Sequence, residues 1–391
     1  MTDILEASDM TNHTYCDLDA FKEHYKENIH GYLSLTVCLF GSIANMFNIC
    51  VLRTKQMRSP TNYILTGLAV ADLLVMLQYI PFTIHRNLAS KPLYYTHFNY
   101  PWAIYYMFHS LFTLTLHFIA CCLTIILAIW RYVYVSQLHH SKICSDQKKT
   151  LIVIVATYIV CPLLCYPMFS TLDVKAYNQT CDLNGVIVLK QNRDKYEHSE
   201  LKKETIYLLH PNDPLQLSIW LYSLLLKLLP CVLLSVLSYK IIAVLMDTRR
   251  RRNRLINSCQ PLEDFNSQRK PSSIQLYKET QADRTTKMLL TVLFLFLLTE
   301  FPQAILGQIS AVYGVVFFRE CYSALGEIMD IIALVNSSIN FILYCAMSRQ
   351  FRATFQEMFQ FQKVSNWLVR KRSNPRNGQE ENGVETKMSL V

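Results

Sequence analysis

Residues 102–130 read WAIYYMFHSLFTLTLHFIACCLTIILAIW, a run without Asp, Glu, Lys or Arg that stops at Arg131. An α-helix needs about 20 mostly apolar residues to cross a hydrocarbon layer of about 30 Å, so this stretch is long enough to span a bilayer. Six similar runs flank it, at 31–54, 63–85, 150–172, 215–246, 288–313 and 322–346, each bounded by charged or turn-forming residues. Seven such helices in 391 residues leave no room for a separate water-soluble core. What remains is an N-terminal segment (1–30), six loops and a tail. The expected fold is an all-α membrane protein: a seven-transmembrane helix bundle over 31–346, with a short amphipathic helix 8 and tail over 347–391.

The composition agrees. Hydrophobic residues make up 51% of the chain and charged residues 17%, against about 25% charged in a soluble domain. The net charge of +9 suggests nucleic acid only if the apolar blocks pack in water, which their length excludes. Residues 1–30 are polar and acidic and lack the apolar core of a secretory signal, so they are expected to be retained.

Lys and Arg placement sets the orientation. With the N-terminus outside, the inner loops and tail hold 24 of the 38 Lys and Arg, the outer segments 11 and the spans 3. Arg53, Lys55 and Arg58 follow the first span, and Arg249 to Arg252 follow the fifth. The sequons at Asn12 and Asn178 both fall on the outer side, where glycosylation takes place. The basic excess is thus a topology charge that faces anionic inner-leaflet lipid rather than nucleic acid. The expected location is the plasma membrane, multi-pass, with an extracellular N-terminus.

Ionisable groups inside spans are costly and are functional candidates by default. They are Asp72, Arg131, Lys227, Glu300 and Asp330, with Glu327 near an outer end. The surrounding motifs come one to a span in six of the seven: Gly41-Ser42-Ile43-Ala44-Asn45, then Leu68-Ala69-Val70-Ala71-Asp72, then Trp130-Arg131-Tyr132. Pro230 follows in the fifth span, Thr299-Glu300-Phe301-Pro302 in the sixth, and Asn336-Ser337-Ser338-Ile339-Asn340-Phe341-Ile342-Leu343-Tyr344 in the seventh. In this order they resemble a rhodopsin-like (class A) G-protein-coupled receptor over roughly 31–360. Met57 to Asn62, Trp130 to Tyr132, Thr299 to Gln303 and Asn336 to Asn340 are most similar to invertebrate myosuppressin and FMRFamide-related neuropeptide receptors.

The resemblance implies a receptor for an amidated neuropeptide that activates a heterotrimeric G protein of the inhibitory class, and no enzyme. Its other implied partners are arrestin and receptor kinases, and no cofactor is implied. By position, Asp330, Glu327, Tyr79, Phe82, His85, Thr113, His117 and Gln303 line the ligand pocket. Arg131, Tyr132, Pro302, Asn340 and Tyr344 belong to activation and G-protein coupling. Asp72, Asn336 and Asn340 match a sodium-coordinating cluster, although Ala120 stands where a third-span Ser usually contributes. A sodium ion at Asp72 and a water-filled polar knot both remain open.

Other departures carry consequences. Trp130 replaces the acid that neighbours Arg131, which leaves Arg131 less restrained and raises basal signalling unless an acid such as Asp283 substitutes. Phe341 replaces a kink-forming Pro in the seventh span. Glu300 replaces an aromatic switch residue, and Lys227, three residues before Pro230, lies at a similar depth. A Lys227–Glu300 bridge offsets the cost of burying either ion alone. The alternatives are a Glu300 free to receive a cationic ligand group, or a protonated Glu300.

Peptides ending in Arg-Phe-amide carry a cation and a ring, which carboxylates with aromatic walls suit. The second outer loop (173–213) is expected to form a hairpin lid. Receptors of the family tie that loop to the third span by a disulfide, but no Cys lies between residues 51 and 120. Cys181 is therefore expected to pair with Cys16 or Cys321. Residues 247–287 and the second inner loop form the G-protein surface by resemblance. Arg269 to Ser273 fits a basophilic phosphorylation site, and Ser389-Leu390-Val391 a PDZ-type ending. Secondary transport and a non-peptide ligand are the competing functions. Transport requires inverted repeats and broken helices, which the sequence lacks.

Overall fold

The computed structural model describes residues 16, 25, 29–89, 94–136, 146–188, 201–212, 220–257 and 273–359. Among the described residues, seven helices are long and apolar enough to cross a membrane. They are α1 (Gly31–Leu52), α2 (Pro60–Thr83, prolonged by a π turn at Ile84–Leu88), α3 (Tyr100–Val135) and α4 (Gln147–Phe169). A π turn at Tyr222–Leu228 leads into α5 (Leu229–Asn257), followed by α6 (Ser273–Phe317) and α7 (Ser323–Met347). The short α8 (Arg349–Met358) follows. The chain is a multi-pass membrane protein.

Capping explains why several helices outrun their apolar cores. Asn99 accepts the Trp102 N–H and Pro101 occupies the first turn, so α3 begins before the apolar run. Ser59 does the same for α2, taking the Asn62 N–H ahead of Pro60. Ser348 leaves helical geometry (φ −104°, ψ 108°) and accepts the Phe351 N–H, which ends α7 and starts α8 at a new angle. Phe341 and Phe355 then pack ring to ring with Phe47 and with each other, and Phe351 packs on Phe341, joining α1, α7 and α8. α7 continues unbroken through Phe341, in keeping with the missing Pro.

α3 is the central helix, packed on α2, α4, α5 and α6, while α7 closes against α1 and α6. Gly41 marks the tightest crossing. A Cβ there would lie 2.9 Å from Met76 Cε and 3.0 Å from Ser338 Cβ, so α1, α2 and α7 approach only because residue 41 has no side chain. Large apolar side chains such as Leu163, Tyr166 and Phe294 point outward, while Asp72, Arg131, Lys227 and Glu300 are buried inside. This inside-out polarity suits a hydrocarbon solvent.

Between α4 and α5 the chain forms a two-stranded antiparallel hairpin, β1 (Leu172–Cys181) and β2 (Lys202–Pro211), with Tyr177 opposite Ile206. The expected lid segment thus contains strands. Gly185 (φ 83°) makes the turn after β1, where Asp182 accepts the N–H groups of Asn184 and Val186. Cys181, Ile187, Ile206 and Leu208 form a small core under the hairpin.

The expected Cys181 disulfide is not formed. Cys16 joins Cys321 instead, with Cα atoms 5.6 Å apart, inside the range a disulfide spans. Cys181 is a buried thiol whose side chain fills the hairpin core, away from the start of α7 where Cys321 sits. Burial pushes its pKa above the ordinary value. Among the other expected features, Asn12, Asp283's side chain, Arg269 to Ser272 and the tail from 360 fall outside the described residues. Asn178 is exposed on β1.

Candidate ligand site and the polar column beneath it

The bundle interior at the hairpin end holds two polar layers. The deeper layer centres on Glu300, which is 1% exposed in α6. Its Oε2 accepts from Lys227 Nζ at 2.7 Å, and its Oε1 accepts from His117 Nε2 at 2.7 Å. Lys227, 4% exposed, also donates to Gln303 Oε1 at 2.9 Å. Gln303 is in turn hydrogen-bonded to Tyr322 at the head of α7. Of the three readings of Glu300, the geometry places Lys227 directly on the carboxylate. Two ions this deep are tolerable because each carries further hydrogen bonds.

The shallower layer is acidic. Asp330 lies within α7 and is exposed, yet its electrostatic neighbours are Glu327, Lys227 and Arg86. Its exposure is therefore to a hollow between helices, not to lipid. Glu327 is half-buried one turn away, with His30 Nδ1 at 4.0 Å and Tyr25 edge-on to His30. An exposed acid on this side of a buried ion pair can receive a cation without breaking that pair.

One wall of the hollow is aromatic. Phe82 stacks on His109 at 3.7 Å and is edge-on to Tyr79 and Tyr106. His85 stacks on Trp102 at 3.5 Å and meets the Tyr106 hydroxyl at 2.6 Å. Gln78 Oε1 accepts from His109 Nδ1 and from Thr113 Oγ1. Tyr79, Phe82 and His85 thus make a packed wall that braces α2 on α3. His109, Gln78, Tyr106 and Trp102 were missed in the sequence, because neutral polar and aromatic side chains on helices look the same in a core as in a pocket. One signal was available: His109, Thr113, His117 and Cys121 recur every fourth residue along one face of α3.

Below Glu300 lies a cavity of about 20 Å³, lined by Asp72, His117, Ala120, Thr124, Asn336, Ser337 and Asn340 among others. It has room for one water or one small ion. Asn340 Nδ2 donates to Asp72 Oδ2 at 3.3 Å, and Ser337 bonds the same carboxylate. Asn45 Nδ2 donates to the backbone oxygens of Gly41 and Ser337, both at 3.0 Å. The oxygens of Asp72, Asn336, Ser337 and Thr124 suit a hard cation, whereas the Ala120 methyl offers none. His117 touches both Glu300 and this cavity, so the polar column is continuous from Gln303 to Asp72.

Residues 32–362 match the family described as serpentine type 7TM GPCR chemoreceptor Srw. The chain belongs to the seven-transmembrane G-protein-coupled receptors. The receptor is 31% identical over 359 residues to G-protein coupled receptor dmsr-1 of Caenorhabditis elegans, covering 86% of this chain and 69% of that protein. It is 27% identical over 346 residues to the Sex peptide receptor of Drosophila melanogaster, covering 86% and 73%. With the FMRFamide receptor of Drosophila melanogaster it shares 24% over 350 residues, covering 86% and 54%. The receptor is not an enzyme.

At the opposite end of the receptor, Arg131 is buried in α3. Its guanidinium donates to Thr286 Oγ1 at 3.3 Å and lies 5.6 Å from the Tyr134 ring, while its Nε finds no acceptor among the described residues. Among the described residues, the neutral Thr286 hydroxyl is thus the hydrogen-bond partner of Arg131, in line with the acid that Trp130 replaces. Tyr132 is half-buried with Lys240 over its ring at 6.0 Å, and Tyr344 is buried. Pro302 sits in α6 two residues beyond Glu300.

Proposed function

We propose that the receptor answers an extracellular amidated neuropeptide of the myosuppressin or FMRFamide type and activates a heterotrimeric G protein of the inhibitory class. Asp330 carries the reading: an exposed acid in a hollow inside the bundle is placed to receive a peptide cation. Glu327 adds charge on the same face, and Phe82, Tyr79 and Trp102 supply aromatic surface for a ring. The peptide receptors among its relatives support the same ligand class. In this reading the N-terminus and hairpin are extracellular, and Arg131 faces the G protein at the plasma membrane's inner side. Arrestin, receptor kinases and a PDZ protein act on the segments beyond α8.

The test is potency. Amidated peptides ending in Arg-Phe are applied to cells expressing the receptor with a panel of G-protein reporters. Asp330→Asn is expected to weaken potency by about tenfold or more, the value of one charge-assisted contact. Unchanged potency at normal surface expression removes Asp330 from the peptide's contacts.

A further inference from the structure

One chemical grouping in the bundle is not used by ligand capture. On α3, His117 and Cys121 are four residues apart and project from one face toward α6. Glu300 of α6 meets them there. His117 Nε2, Cys121 Sγ and a Glu300 carboxylate oxygen all lie within 4.8 Å of one another. Cys121 is 1% exposed and Glu300 1%, so their positions are held by packing on all sides. We propose that His117, Cys121 and Glu300 form a binding site for a borderline-soft divalent transition metal, Zn²⁺ by preference.

The donor set decides the class of ion. An imidazole, a thiol and a carboxylate are the ligand types that zinc takes in tetrahedral sites, whereas a hard cation such as Mg²⁺ or Ca²⁺ asks for oxygens alone. Zinc-to-donor distances of about 2.0–2.3 Å place the donors of a tetrahedral centre roughly 3–4 Å apart. The three atoms reach that arrangement by side-chain movements on the order of 1 Å. A fourth position faces the cavity that His117 shares with Asp72, which has room for one water. That cavity also leaves His117 partly exposed, at 19%, and gives the ion a way in.

The charges and protons balance. The Cys121 thiol loses one proton on ligation, and it leaves with the solvent. The Nε2 proton now given to Glu300 Oε1 must vacate that nitrogen, so a neutral His117 shifts to the Nδ1–H tautomer. The metal takes Glu300 Oε1, while Oε2 keeps the Lys227 ammonium that now orients it. Zn²⁺ with one thiolate and one carboxylate is neutral, and Lys227 leaves the cluster with a net positive charge. Bound metal would tie α3 to α6 directly at the level of the ion pair. The site does not depend on the ligand being a peptide.

The measurement uses full-length receptor purified in detergent and stripped with a chelator. Titration with Zn²⁺ against a competing chromophoric chelator is expected to give one tight equivalent. Cys121→Ser and His117→Gln are each expected to weaken it tenfold or more, while Cys38→Ala, at a buried thiol of α1, leaves it unchanged. Co²⁺ in place of Zn²⁺ is expected to show a thiolate-to-cobalt charge-transfer band that Cys121→Ser abolishes. Equal binding by the unmodified receptor and both variants overturns the proposal. If a variant does not purify as a monodisperse receptor, Co²⁺ added to the unmodified protein decides. A charge-transfer band at one equivalent supports the site, and no band overturns it.

Discussion

Replacing Glu300 by Gln removes the charge that holds both Lys227 and His117. Lys227 is then a buried ammonium with only neutral oxygens around it, and breaking a buried pair in this way costs about 3–5 kcal/mol. Lys227→Met is expected to cost less, because Glu300 keeps its hydrogen bond with His117 at 2.7 Å. The double variant is expected to recover part of the loss, with a coupling of at least about 1 kcal/mol in thermal melting of the purified receptor. Additive losses would mean that the two side chains do not depend on each other. This pair was readable from sequence because few charges lie inside the spans and each is expensive there. The contact of His117 with Glu300 was not, since a histidine on α3 gives no sign of which neighbouring helix it faces. The clustering of His109, Gln78 and Thr113 escaped for the same reason: their hydrogen bonds run between helices whose rotation the sequence leaves open.

Single elements show where chain statistics stop. Helix boundaries follow from caps that can be read directly, as Ser59, Asn99 and Ser348 show. The second outer segment was legible as a hairpin, but the pairing of cysteines was not. Two of the three outer cysteines had to be chosen without knowing which one the hairpin core would claim. The Cys16–Cys321 bond ties the N-terminal segment to the head of α7, closing a loop of 305 residues. Removing it frees the unfolded chain by a few kcal/mol. Cys321→Ser is therefore expected to lower the melting temperature by several degrees and to weaken any ligand that touches α7. Cys181→Ser is expected to do neither. In the unmodified receptor, iodoacetamide at neutral pH is expected to label Cys181 slowly, because its raised pKa leaves little thiolate and its side chain is buried. Rapid labelling of Cys181 in peptide mapping would place it outside the hairpin core.

Across the whole molecule, we propose that the polar column and Arg131 set how easily the receptor changes state. From Gln303 through Lys227, Glu300 and His117 to Asp72 and Asn340, each polar group touches or neighbours the next, and Asp330 lies in the electrostatic field of Lys227. A ligand at the top can act on the bottom only if the resting arrangement below is weakly held. At the far end, among the described residues, that hold is the bond from Arg131 to Thr286, an uncharged acceptor at 3.3 Å. A charge-assisted bond contributes about 1.5–3 kcal/mol and a neutral one about 0.5–1.5 kcal/mol. Trp130, in the place of an acid, thus leaves the resting state short by about 1 kcal/mol, enough to raise the active fraction about fivefold. Cells expressing the receptor without ligand are expected to show G-protein activation above vector controls. Trp130→Asp, which puts a carboxylate beside Arg131, is expected to lower that basal signal severalfold at equal surface expression. A Thr286→Ala variant removes this acceptor and is expected to raise it. A receptor silent without ligand, and unmoved by either change, would show that the restraint on Arg131 lies in contacts other than these two.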